Sequence, residues 1–102
     1  MEPRSKLEGK TKMVGDDLFA YAKTVNSRTD FVKFVEYLNQ DFQRKRSEWG
    51  NNDLESFLTG LSGFTQDMDG YYKNIGETVN VEDITWRMAA QMLLAATVYG
   101  GW

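Results

Sequence analysis

The sequence predicts an all-α fold: a compact single-domain bundle of four or more helices with a central, apolar C-terminal helix. Three observations predict it. Apolar residues recur at helical spacing in four separate stretches, and no strand-like alternation runs longer than three residues. The chain has 102 residues, 41% hydrophobic and 14% aromatic, enough for one core without metal or disulfide staples. Its least polar run, Ile84 to Tyr99, is long enough for about four turns of helix.

That run carries most of the prediction. Ile84, Met88, Met92, Ala95 and Tyr99 fall on one helical stripe, and Ala89, Leu93 and Ala96 on the next. Ala90, Leu94 and Val98 fill most of the remainder, so the helix is apolar nearly all round and needs neighbours on several sides. Its alanines add little bulk and let those neighbours approach closely. Asn80 or Asp83 is placed to cap its start. Gly100-Gly101 suits a left-handed C-cap, with Trp102 where a hydrophobic cap contact falls.

The earlier helices follow in order. Residues 1–12 show no periodicity, contain Pro3 and Gly9, and read as a flexible tail, so the domain is taken as 13–102; Met13 is a second candidate start. Gly15 or Asp16 caps a short helix over about 16–25 with Leu18, Phe19, Ala22 and Val25 as its apolar side. Ser27 with Asp30 is a weak capping box for a second helix running to Arg46, with Phe31, Phe34, Val35, Leu38 and Phe42 as its stripe. Arg44-Lys45-Arg46 suits the negative end of its dipole. After a turn at 47–52, Asn52 with Glu55 signals a third helix with Leu54, Phe57, Leu58, Leu61, Phe64 and Met68 on one face. Gly60 and Gly63 lie inside it and mark either a close approach or a kink; Asp69-Gly70 is a place where it loosens before Tyr71, Tyr72 and Lys73.

Composition removes several chemistries. The chain has no Cys and no His. That leaves no disulfide framework, no thiol nucleophile and no histidine base, and a zinc site would have to be all-carboxylate. No cofactor is expected. The N-terminus is charged and lacks the apolar segment of a secretory leader. The 84–99 run is shorter than the 20 or so residues that span a bilayer and contains Arg87 and Gln91. A cytoplasmic protein with no membrane partner is therefore expected.

Charge is uneven. Residues 1–47 hold ten bases and seven acids, and residues 48–102 hold eight acids and two bases, a local balance of +3 against −6. An acidic half argues against nucleic acid as its partner and permits a basic protein partner. The plainer reading is a solvated surface that maintains solubility.

Individual constellations are weak. Thr65-Gln66-Asp67-Met68-Asp69-Gly70 resembles the middle of a calcium-binding EF-hand loop, but Thr65 and Gly76 occupy the two key ligand positions and fail. Asp67 and Asp69 as a catalytic pair point about 200° apart on a regular helix. Of Tyr71 and Tyr72, one is expected in the core and the other at the surface, where a ring and hydroxyl beside acids suit protein binding. Trp49 and Trp86 sit at helix starts as core or rim. Arg44-Lys45-Arg46 lacks the interleaved aromatics of a nucleic-acid site. Met68, Met88 and Met92 read as core fillers.

Trp49-Gly50-Asn51-Asn52-Asp53-Leu54-Glu55-Ser56-Phe57-Leu58 and Phe64 through Asn74, with Asp67-Met68-Asp69-Gly70-Tyr71-Tyr72 at its centre, carry a resemblance. With Trp86 opening an Ala/Leu-rich last helix that ends in Tyr99, the chain resembles an uncharacterised family of small bacterial all-α domains over about 26–100. Gly50 departs from the pattern, which commonly has Glu there. The resemblance implies no enzymatic activity. Small acidic bacterial domains of this kind are often immunity partners of secreted toxins, including those of contact-dependent growth inhibition. It thus implies a non-enzymatic immunity protein that covers a cognate toxin, a nuclease with a basic active site. The partner-binding residues are then Asp53, Glu55, Asp67, Asp69, Tyr71, Tyr72, Glu77 and Glu82. Two alternatives stay open: a bacterial or phage-related interaction module, homodimeric through an exposed helix face, and a metal-dependent hydrolase using Asp67 and Asp69. Oligomeric state is left open.

Overall fold

The structure, a computed structural model, describes residues 15–100. The expected tail over 1–12, the alternative start at Met13, and Gly101 and Trp102 lie outside the described residues. Four helices follow one another: α1 (Gly15–Ala22), α2 (Arg28–Lys45), α3 (Leu54–Asn74) and α4 (Trp86–Ala96), with a 3-10 turn at Arg46–Glu48. The protein is all-α.

Local chemistry sets the helix starts. Ser27 Oγ accepts from the Asp30 N–H at 3.1 Å, and Asp30 Oδ2 accepts in return from the Asn26 N–H, completing a box shifted by one residue. For α3 the cap is Asp53, whose Oδ1 accepts from the Ser56 N–H at 2.8 Å, not Asn52 as expected. Asn52 instead turns its amide to the Arg46 carbonyl at 3.2 Å. For α4 the cap is Thr85, whose Oγ1 accepts from the Met88 N–H, not Asn80 or Asp83. Asn80 closes a turn of its own by accepting from the Glu82 N–H. The last helix therefore begins later than expected, and Ile84 is an exposed loop residue.

α4 divides the core in two. On one side Leu18, Ala22 and Val25 meet Phe34, Leu38 and Ala90. On the other, Phe64, Met68 and Tyr72 of α3 meet Met88, with Met92, Ala95 and Tyr99 packed against them. α4 packs against all three other helices, α1 also packs on α2, and α2 and α3 do not pack on each other. The central position expected of the last helix is what the fold shows. Its apolar sides are taken out of water by two separate clusters, one on each side.

Two stripes depart from expectation at this point. Val35 of α2 and Leu54 and Leu58 of α3, expected in the core, are exposed at 39%, 72% and 51%. Val35 and Leu54 line the space between α2 and α3, which do not pack on each other. Phe19 is likewise exposed, with Lys23 lying over its ring at 5.4 Å.

Helix α3 runs unbroken from Leu54 to Asn74. Gly60 allows a close approach: a Cβ there would lie 2.6 Å from Asn51 Nδ2 and 2.7 Å from the Ala96 carbonyl. Gly70 does not loosen the helix. The chain leaves α3 through Gly76 at φ +79°, a left-handed position that favours glycine. α4 ends at Ala96 with Thr97 as its cap, short of the end expected after Tyr99. The left-handed Gly100, at φ +69°, closes the turn that follows.

Candidate functional site

The structure separates the eight expected partner-binding residues into groups with different surroundings. At the start of α3, Asp53 and Glu55 line a surface cavity of about 450 Å³ with Ser56, Thr59, Tyr99 and Gly100. Asp53 is tied to the helix it caps. The Ser56 N–H and hydroxyl hold its carboxyl below the usual range, with Arg46 adding to the effect.

One and a half turns before the end of α3 the acids part. Asp67 accepts a short hydrogen bond from the Tyr99 hydroxyl, which raises the Tyr99 pKa. Asp69 points away, as a helical offset of two residues requires. It joins Glu82 around a separate cavity of about 340 Å³ with Thr65, Gln66, Val81 and Met92. Asp69 of α3 and Glu82 of the following loop are the acids that line this cavity. Glu77 is committed elsewhere, paired with Arg87 at 2.7 Å.

The two tyrosines also separate. Tyr72 is buried, with its hydroxyl donating to Gln91 Oε1 at 2.6 Å, and burial pushes its pKa up to about 12. It is core and leaves the set of surface residues. Tyr71 is half-buried, edge-on to Phe64 and Tyr72. The expectation that one ring is core is met by Tyr72; its neighbour is only partly exposed.

The calcium-loop and carboxylate-pair readings lose their geometry. Residues 65–74 are helical throughout, so no loop wraps a cation there. Among the described residues no group of three or more Asp or Glu side chains is placed to hold a metal ion.

Sequence reasoning missed a groove between α2 and α3. Val35, Leu38 and Phe42 form one wall, and Leu54 and Phe57 the other, around a cavity of about 650 Å³. Trp49 closes its end, with its ring centroid 4.9 Å from Phe42 and 6.3 Å from Phe57. The indole N–H donates to Asp41 Oδ2 at 2.8 Å, which fixes the ring. The signal was present in the helical spacing of these residues, but periodicity does not say whether a neighbouring element covers a face.

A family model described as a family of unknown function (DUF7660) matches residues 27–100. The chain belongs to this family. The match takes in α2, α3 and α4 with the loops between them, and so includes both the acidic residues and the groove. No curated protein and no solved structure matches. Among the described residues no helix is long and apolar enough to cross a membrane.

Proposed function

We propose that this DUF7660 domain is a non-enzymatic, cytoplasmic immunity protein that binds a cognate bacterial toxin domain, a nuclease with a cationic cleft, and blocks it by occlusion. The observation that carries the reading is the charge of the chain from residue 48 onward, eight acids against two bases. One of those bases, Arg87, is already paired with Glu77. Asp69 of α3 and Glu82 of the next loop, which line one cavity, form the acidic centre of the contact. Opposite charge steers association, at rates up to about 10⁸–10⁹ M⁻¹s⁻¹ at low salt.

Coexpression with the product of the adjacent gene tests this. A toxic neighbour whose effect this domain abolishes supports the reading, and a harmless neighbour contradicts it.

A second reading, an interaction module with no toxin partner, draws on a different observation. The exposed Leu54 and Leu58 beside an apolar groove suit a protein contact of any kind, a homodimer included.

A further inference from the structure

The turn into α4 carries two exposed apolar side chains, Ile84 at 45% and Trp86 at 43%. Thr85 between them caps the helix, its Oγ1 accepting from the Met88 N–H at 3.1 Å, so both stand on backbone that the cap fixes. The Trp86 ring rests against Phe31 of α2, with centroids 5.4 Å apart. Ile84 joins two cavities. With Val81, Met92, Asp69 and Glu82 it lines the acidic one of about 340 Å³. With Trp86, Lys23, Thr24 and Asn26 it lines a second, of about 730 Å³, between the segment after α1 and the start of α4. The acidic contact proposed above is therefore continuous, through Ile84, with an aromatic surface. Charge differs across Ile84. Asp69 and Glu82 are the charged groups of the first cavity; Lys23 and Arg87 are those of the second, and Arg87 is paired with Glu77.

We infer that Trp86 and Ile84 are the apolar anchor of the partner contact. The partner sets an apolar side chain against them and, beside it, a Lys or Arg against Asp69 and Glu82. This inference rests on the acidic contact proposed above and supplies its apolar part. A Trp ring already held by a neighbour loses little side-chain freedom on binding. Aromatic anchors of this kind carry most of the binding energy, whereas exposed charges act chiefly on the rate of encounter. Lys23 sets the orientation, because it disfavours the partner's base on the Trp86 side of Ile84 and leaves the acidic side for it.

The purified product of the adjacent gene is the probe, with binding kinetics measured for wild type, Trp86→Ala and Ile84→Ser. Both positions are exposed, Ile84 lies before the helix, and alanine suits a first helical turn, so both variants should keep the far-UV spectrum and a cooperative melt. Each should weaken binding at least about tenfold, a difference of about 1.4 kcal/mol. The loss should come from faster dissociation, with the association rate and its salt dependence little changed. Asp69→Lys/Glu82→Lys should instead slow association. In a protein NMR spectrum the Trp86 indole N–H should shift on binding, and that of Trp49 should not.

Wild-type binding by both Trp86→Ala and Ile84→Ser overturns the inference and leaves the acidic reading standing. A shift at Trp49 with Trp86 unmoved also overturns it and places the contact in the α2–α3 groove. So does a dimer in sedimentation that Trp86→Ala dissociates, since a second copy then fills this surface. Loss of binding in Trp86→Ala with no effect of the acid reversal supports the anchor and removes acidic steering; a product that does not bind the wild type removes both.

Discussion

The Asn51 side-chain amide donates to the Ala96 carbonyl at 2.8 Å and, with the same nitrogen, to the Tyr99 carbonyl at 3.0 Å. Its backbone N–H donates to the Thr97 carbonyl at 2.8 Å. One residue of the α2–α3 connection thus satisfies carbonyls that the end of α4 leaves without helical partners. It also binds the groove's closed end to the central helix, because Trp49 is two residues away.

Asn51→Ala is expected to destabilise the fold by about 2 kcal/mol, since the amide is 4% exposed and its loss leaves buried carbonyls unpaired. Thermal melts should show a fall on the order of 10 °C. Gly60→Ala should cost more, because its Cβ would lie inside contact distance of both Asn51 and Ala96. Gly70→Ala should act oppositely. Nothing lies within 4 Å of its Cβ, so alanine should stabilise α3 by about 0.5–1 kcal/mol. A destabilising Gly70→Ala would contradict the unbroken helix.

Tyr72 and Gln91 give a pH-dependent expectation. Burial raises the Tyr72 pKa to about 12, above the value of about 10 for an unfolded tyrosine. The protonated hydroxyl is the form the fold favours, so its stabilising contribution is complete below about pH 10 and declines as pH rises through about 12. Denaturant melts across this range should lose stability in the wild type, and Tyr72→Phe should flatten that slope. At neutral pH Tyr72→Phe should cost about 1–3 kcal/mol, because Gln91 Oε1 loses its donor while its Nε2 has no hydrogen-bond partner among the described residues. Adding Gln91→Met should recover much of that loss; a double variant as unstable as the sum of its parts would contradict it.

Calcium should leave the melting temperature unchanged, with EDTA as the reference. The acids at 67 and 69 stand on a continuous helix and diverge from each other. A rise of several degrees at stoichiometric calcium would contradict that geometry.

Much of this architecture was legible in the residues. The run from Met88 to Ala96 is apolar on several faces, and only a helix with neighbours on several sides can bury it. The caps were less legible. Asn52-x-x-Glu55 and Asp53-x-x-Ser56 are competing start signals one residue apart, and Asn52 is drawn away by the Arg46 carbonyl. Leu54 and Leu58 share helical spacing with Phe64 and Met68 but lie beyond the reach of α4, and no local pattern records where a neighbouring helix stops. The acids were legible as a charge excess and not as a surface. Asp67 is turned to Tyr99, 32 residues later in sequence, and Glu77 to Arg87, while Asp69 and Glu82 line one cavity from different elements.

Protection of cells against the product of the adjacent gene, compared for wild type and for Asp69→Lys/Glu82→Lys at equal expression, tests the acidic contact most directly. Both side chains are exposed, so the double variant should fold normally, with each change altering stability by no more than about 0.5 kcal/mol. Wild type is expected to protect and the double charge reversal to fail, with recovery when bases of the toxin's cleft are reversed in turn. Full protection by the reversed variant would contradict acidic occlusion and leave that surface as ordinary solvated charge.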